Sequence, residues 1–409
     1  MRAMIVSCVF PPEPVVSSRT SGDLARHLAN GGHDVAVICP FPNRPNGKVF
    51  AGYSRRWRKR EQLDGAEVTR CFATISRRST LASRLMENLS FGITSMLAVL
   101  GAKRPDVIYS NSWPLFATGL VAFAARLRRV PYVVSVQDVY PDSLIAQRRI
   151  AANGFPARVL RWLDGLIARG AKAVIVLSEN FADVYRRERG MDPKRVHVIP
   201  NWLPSSAVDG DPADGRAYRA ERGIADQTTL LVYGGNIGAA AGVDQVIDAF
   251  EQLRGEDIHL LIAGDGSEAD ACERRSRGLE RVTMHRPWPA ADTSRVLGAA
   301  DLFVLPTQGE QGLVSVPSKL ISYMLAARPV LAITDPRSET ARILDEAGAG
   351  WIVAPGEVDA VVRAIRAAAG ASAEERKTRG ENARKYALGH FVSEACLPRV
   401  AAIVQEAAR

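Results

Sequence analysis

Gly234-Gly235-Asn236-Ile237-Gly238 follows a short apolar run, Leu230 to Tyr233, and leads into a stretch with Val243, Val246, Ile247, Phe250 and Leu253 at helical spacing. A strand that passes through glycines into a helix lets an anion approach backbone N–H groups, so Gly235, Asn236 and Gly238 are candidate diphosphate contacts. Pro317-Ser318-Lys319 stands ahead of a second helical stretch, Leu320 to Ala327. Ser318 is placed to cap that helix, whose free N–H groups favour a diphosphate, and Lys319 adds a mobile positive charge. Near the start, Phe10-Pro11-Pro12-Glu13-Pro14 and then Ser17-Ser18-Arg19 repeat the strand–loop–helix scheme, ready for an anion or a sugar hydroxyl. Each loop, taken alone, also reads as a plain tight turn. Gln137 and Asp138 come directly after the apolar run Tyr132 to Val136. Gln137 hydrogen-bonds but cannot titrate. Asp138 is the nearest ionisable group, and it either orients a hydroxyl or braces its loop.

These groups need a scaffold, and the chain supplies two similar ones. Apolar runs at Met4–Val9, Val35–Cys39, Val107–Tyr109, Tyr132–Val136, Ala173–Leu177 and Val196–Ile199 alternate with helical stretches. The scheme recurs at Leu230–Tyr233, Ile258–Ala263, Val282–Met284, Leu302–Leu305, Val330–Ile333 and Trp351–Val353. Two Rossmann-like α/β domains with parallel sheets follow, and ligands gather at the carboxyl ends of such strands. Residues 204–228, rich in Pro, Gly, Ser and Asp, read as the linker between a domain 1–203 and a domain 229–382. Asp209-Gly-Asp211 falls in it and reads as solvated linker rather than as a metal site.

Composition closes several routes. With 409 residues, 47% hydrophobic and 24% charged, the chain is ordinary globular protein too long for one core. Five scattered cysteines and six histidines form neither a disulfide framework nor a zinc spacing, so no metal is expected. The opening MRAMIVSCVF runs at once into prolines and reads as a strand, not a leader. No apolar stretch is long enough to span a bilayer. Neither glycine loop is G-x-G-x-x-G, which disfavours a dinucleotide dehydrogenase. The net charge of +9 divides into +15 over residues 1–200 and −6 over 201–409. The densest basic run is Arg55-Arg56-Trp57-Arg58-Lys59-Arg60, with Arg77, Arg78 and Arg84 ahead of the apolar Leu85–Leu100. That pairing suits an anionic membrane surface, though a solvated basic loop reads equally well. No recognition motif for nucleic acid accompanies it.

FPP…Arg19…LARHLANGGHDV, SENFADVYRRERGMDPKRVHVIPNW, YGGNIG, LLIAGDGSE, AADLFVLP, PSKLISYMLAARPV and AGAGWIVAPGE occur in the order and near the spacing of glycosyltransferase family 4. The chain resembles that family over nearly its whole length, and the Pro317–Val330 segment resembles its bacterial exopolysaccharide, colanic-acid and O-antigen branch. The resemblance implies the GT-B fold, two Rossmann-like domains facing across a cleft, with the last helix, 383–409, crossing back onto the first domain. It implies a cytoplasmic enzyme, peripheral on the inner membrane face. Its reaction would be a retaining transfer, without cofactor or required metal, from a nucleotide-sugar donor, with a lean toward UDP. The acceptor would be a lipid-diphosphate-linked oligosaccharide. By the same resemblance Arg286 and Trp288 lie at the nucleobase loop, although Trp288 would serve equally in packing. Ser17, Ser18 and Arg19 fall to the acceptor.

The sequence also departs from the family. The family has two glutamates separated by seven residues: counting from Glu310 puts the second at Ser318, whereas the register of the helix, anchored by Ala327, Pro329 and Val330, puts it at Ser322 and leaves Glu310, a catalytic candidate, on a loop. The family's usual histidine is replaced by Gln137, and the Arg and Lys of its glycine loop by Asn236 and Ala241. Phosphate binding then rests on Lys319 and backbone groups. A nucleotide-sugar epimerase of the same fold and a non-catalytic nucleotide-sugar-binding module are the alternatives.

Overall fold

The computed structural model describes residues 1–76, 80–111, 114–146, 149–208, 212–289, 292–308, 313 and 317–409. The chain divides into two units, Met1–Trp202 with Ser393–Arg409, and Leu203–Val392.

Among the described residues, the first unit holds β1 (Arg2–Val6), β2 (Asp34–Pro40), β3 (Arg58–Leu63), β4 (Ala66–Cys71), β5 (Val107–Asn111), β6 (Tyr132–Val136), β7 (Ala173–Val176) and β8 (Val196–Val198). They lie in the order β3-β4-β2-β1-β5-β6-β7-β8, parallel except for β3 against β4. In register, Ile5 lies between Val37 and Tyr109. Every residue of β5, β6 and β7 is buried, as expected where helices cover both faces of a parallel sheet. Phe91, Val99, Val121 and Ile167 from helices Leu81–Gly101, Leu115–Leu127 and Phe155–Gly170 pack on one face. Leu24 and Leu28 of helix Val16–Asn30 and Val400 and Val404 of helix Ser393–Ala407 pack on the other.

The second unit holds β9 (Thr229–Gly234), β10 (Ile258–Ala263), β11 (Val282–His285), β12 (Leu302–Pro306), β13 (Val330–Ile333) and β14 (Gly350–Val353), all parallel, in the order β11-β10-β9-β12-β13-β14. In both sheets the order reverses, at β1/β5 and at β9/β12. Such a reversal opens a crevice at the carboxyl ends of the strands.

Three sequence expectations need correction. Arg58, Lys59 and Arg60 are not in a basic loop but in β3, the edge strand of a hairpin whose turn residues Asp64 and Gly65 both have positive φ, 50° and 81°. Residues 204–228 are not a solvated linker. They carry a helix, Pro212–Glu221, that packs on helix Thr293–Ala299 with Tyr218 fully buried and Arg219 ion-paired to Asp301. One aromatic and a paired arginine seat that helix, too little apolar pattern to show in the sequence. Asp209 and Asp211 lie outside the described residues. The last stretch is two helices, Ala373–His390 and Ser393–Ala407, and the change of unit falls at Ser393 rather than at 383. Leu203 N–H donates to the Phe391 carbonyl at the break (3.0 Å).

Candidate functional site

In the second unit β9 delivers Tyr233 and Gly234 to the crevice. Gly235 follows with φ +135°, a conformation other residues rarely adopt, and a methyl group there would run into the Lys319 side chain. Lys319, on the first turn of helix Ser318–Leu325, lays its ammonium 4.4 Å from the Tyr233 ring centre and donates to Tyr233 Oη (2.5 Å) and the Asn236 carbonyl (3.2 Å). It makes no ion pair among the described residues, and burial pushes its pKa down to about 8. Two helix N-termini face this loop, and charge distinguishes them. The helix Val243–Gln252 has Asp244 in its first turn, whereas Ser318–Leu325 has no acid there. A diphosphate is therefore favoured at Lys319.

Tyr323, missed in the sequence, holds the floor of this loop. Its hydroxyl accepts from Gly234 N–H (2.8 Å) and donates to Gly234 O (3.1 Å), while its ring stacks on Phe303 at 4.0 Å. Trp288 lies against Gly234, where a methyl group would come within 2.9 Å of the indole. Its indole N–H is buried and has no partner among the described residues. A ligand carbonyl would satisfy it.

The remaining donor-side residues fare differently. Ser318 is not a cap. It is the first helical residue, exposed, and the N-cap position is Pro317, with no side-chain hydrogen bond. Ser322 is half-buried on the same helix and Gly238 lies beside the Asn236 amide. Arg286 is committed elsewhere, pairing with Asp265 (2.9 Å), Asp270 (2.8 Å) and Glu273 (2.8 Å), so it ties the loop after β10 to β11 and offers no free charge. Glu310 lies outside the described residues.

In the first unit the corresponding crevice is lined by the loops after β1 and β6. Gln137 Oε1 accepts from Ser17 Oγ (3.3 Å) and Asn201 Nδ2 (3.1 Å), and its Nε2 donates to Ser135 Oγ (3.4 Å). Asn201 belongs to the VIPNW segment and was not singled out in the sequence. Asp138 accepts no hydrogen bond among the described residues, and burial raises its pKa. A loop-bracing carboxylate would collect backbone donors, as Glu13 does from Phe10 (3.1 Å), Asn43 (2.8 Å) and Arg44 (2.8 Å). The brace for Asp138's loop is instead Arg189, 2% exposed, which donates to the Tyr140 carbonyl (2.9 Å), Asp142 (2.8 Å) and Asp164 (2.8 Å). Asp138 instead lines a cavity of about 630 Å³. Ser17 reaches Gln137 and Arg19 is exposed with no ion pair among the described residues, but Ser18 is 0% exposed, turned into the core by its helix, and cannot meet an acceptor. Among the described residues no cluster of three or more His, Cys, Asp and Glu side chains could hold a metal ion, and no helix is long and apolar enough to cross a membrane.

Known proteins match both halves. Residues 17–202 match the family of glycosyl transferase 4-like domains, and residues 228–370 match the glycosyl transferases group 1 family. A protein of Escherichia coli K12 named as a colanic acid biosynthesis glycosyl transferase, WcaI, is 25% identical over 90% of this chain and 92% of its own. WbjE of Pseudomonas aeruginosa, named as a glycosyltransferase, is 25% identical over 64% of this chain and 66% of its own. Among solved structures, Anabaena HepE in complex with UDP superposes with a TM-score of 0.72 over 99% of this chain and 100% of that one, at 16% identity. Two doubly wound parallel sheets, each with its crevice at the reversal of strand order, give the GT-B fold, and the matches over both halves establish that the chain is a glycosyltransferase built of a glycosyl transferase 4-like domain and a glycosyl transferases group 1 domain.

Proposed function

We propose that the chain moves a sugar from a UDP-sugar to a lipid-diphosphate-linked acceptor in the synthesis of a bacterial surface polysaccharide, with retention at the anomeric carbon and no required metal. The observation that carries this reading is Lys319, a half-buried ammonium with no carboxylate partner among the described residues, laid under a glycine loop at the switch point of the second sheet. WcaI, named for colanic acid, and HepE, solved with UDP, support the product class and the donor.

Lys319 and the N–H groups of Asn236 and Gly238 hold the diphosphate, those of Gly235 and Ile237 already donating to the Ala263 and Asp265 carbonyls, and the Trp288 indole N–H meets the base. The acceptor hydroxyl oxygen bonds to the anomeric carbon as the bond from that carbon to the phosphate oxygen breaks. The electron pair departs with the diphosphate, whose charge Lys319 stabilises. Asp138 orients the acceptor hydroxyl and is placed to take its proton, and the departing phosphate is the other acceptor for that proton. Gln137, Ser17 and Arg19 line the approach.

The enzyme works as a peripheral protein at the inner face of the cytoplasmic membrane. Most of the Arg55–Arg60 run is engaged locally: Arg55 lies over Phe72, Arg56 bonds Ser54, Lys59 pairs with Glu61 and Arg60 with Glu67. The exposed Met86, Ile93 and Leu97 of helix Leu81–Gly101 and Trp162 and Leu166 of helix Phe155–Gly170 give more support to membrane contact.

Incubation with UDP-, GDP- and dTDP-sugars and a lipid-linked acceptor, with and without EDTA, read by mass spectrometry, tests the proposal. A product one sugar heavier from a UDP-sugar, undiminished by EDTA, is expected. An epimerised donor formed without acceptor, or no product, would contradict it.

A further inference from the structure

Trp57 is 64% exposed, and among the described residues from 1 to 80 it is the single large apolar side chain left so open. It is nevertheless held in place. It stands just before β3, where its carbonyl accepts from the Phe72 N–H (3.0 Å) as a further rung of the β3–β4 hairpin, and the two rings stack with centres 6.1 Å apart and planes 21° from parallel. Phe72 is fixed in turn: its carbonyl accepts from Thr94 Oγ1 (2.7 Å), and the Arg55 guanidinium lies 4.6 Å from its ring centre. Arg56 donates to Ser54 Oγ (3.1 Å) beside it.

This pair of rings shares an edge of the first sheet with the Gln137–Asp138 loop. Thr69, Ile38, Val6, Ser110 and Val134 form one row across β4, β2, β1, β5 and β6, and Phe72 and Gln137 each lie three residues beyond that row. Four strand steps separate them, roughly 19 Å at ~4.8 Å a step.

A planar ring with hydrogen-bond donors around it matches one face of a pyranose. The C–H face of such a sugar packs on the indole, while hydroxyls at its edge accept from the exposed Arg55 and Arg56 guanidinium groups and from the exposed indole N–H. A bilayer would call for several exposed apolar side chains together, whereas the neighbours of Trp57 along the chain are Arg55, Arg56, Arg58 and Lys59.

We propose that Trp57, backed by Phe72 and flanked by Arg55 and Arg56, is a sugar platform that holds the acceptor's glycan several rings from the hydroxyl that reacts beside Asp138. The inference rests on the reading that the acceptor carries an oligosaccharide. It makes the enzyme select acceptors by the length of that chain.

Binding of the full chain, saturated with UDP, to an array of bacterial surface-polysaccharide fragments from single sugars to hexasaccharides tests the platform. The longer fragments should bind and the single sugars should not. Trp57→Ala should lower affinity for the bound fragments about tenfold, and Trp57→Phe should keep most of it. UDP affinity, melting temperature and binding to phosphatidylglycerol vesicles should be those of the parent in both variants. A folded Trp57→Ala protein that holds the fragments as the parent does, or that loses the vesicles instead, would overturn the proposal, and so would a parent that binds no fragment. Failure of the acceptor reading registers separately, as a parent that holds the fragments yet transfers no sugar to a lipid-linked one.

Discussion

Lys319 in the second unit and Asp138 in the first are both half-buried, both without an ion pair among the described residues, and opposite in charge. Burial lowers the lysine to about pKa 8 and raises the aspartate, so each is held closer to neutrality than in water. Arg286 and Arg189 stand near the same two crevices with their charges fully matched. Paired charges position loops, and unpaired half-buried charges await a ligand: an anion at Lys319, a proton donor at Asp138.

Replacement of the paired and unpaired groups should separate these roles. Arg189→Met takes from Asp164 its cation and from Asp142 the nearer of its two, and should destabilise the fold by about 3–5 kcal/mol, seen as a large fall in melting temperature. Asp138→Asn should act the other way, lowering turnover about 100-fold with UDP affinity unchanged. Because the folded pKa of Asp138 lies above its unfolded value, ionisation of this group costs the native state stability as pH rises through that interval. The asparagine variant should therefore melt no lower than the parent at neutral pH. In the parent, the acid limb of the rate profile should lie above the ordinary carboxylate range. Near-normal turnover of Asp138→Asn would assign the proton to the departing phosphate. The smallest effect is expected for Arg286→Gln, with UDP affinity changed by no more than about twofold, since its bridges are exposed. A tenfold loss there would return Arg286 to the donor site.

The same contrast explains what the sequence disclosed. Central strands are near-continuous apolar runs, and the bounds read for Tyr132–Val136, Ile258–Ala263 and Val330–Ile333 are those of β6, β10 and β13. The edge hairpin β3–β4 was missed because Arg58–Leu63 is a run of four charged residues with one apolar residue at its end, although Asp64-Gly65 was a legible turn signal. Lys319 could be found from its place ahead of a helix. Its platform could not, because Tyr233 and Tyr323 look like core residues in apolar runs. Arg286 looked free because its three carboxylates come from elsewhere in the chain. Ser17, Ser18 and Arg19 read as one group, yet neighbours on a helix point about 100° apart, and Ser18 turned inward.

The account depends most on Lys319, and UDP affinity measured from about pH 7 to about pH 9.5 tests it directly. Below its pKa of about 8 the ammonium is charged and binds the diphosphate, and above that value the free protein increasingly loses the charge. Affinity should therefore fall as pH rises past about 8. Lys319→Met should bind UDP about tenfold or more weaker at neutral pH, with the pH dependence gone and the melting temperature maintained. A folded Lys319→Met protein with parental UDP affinity and the same pH profile would contradict the proposed donor site.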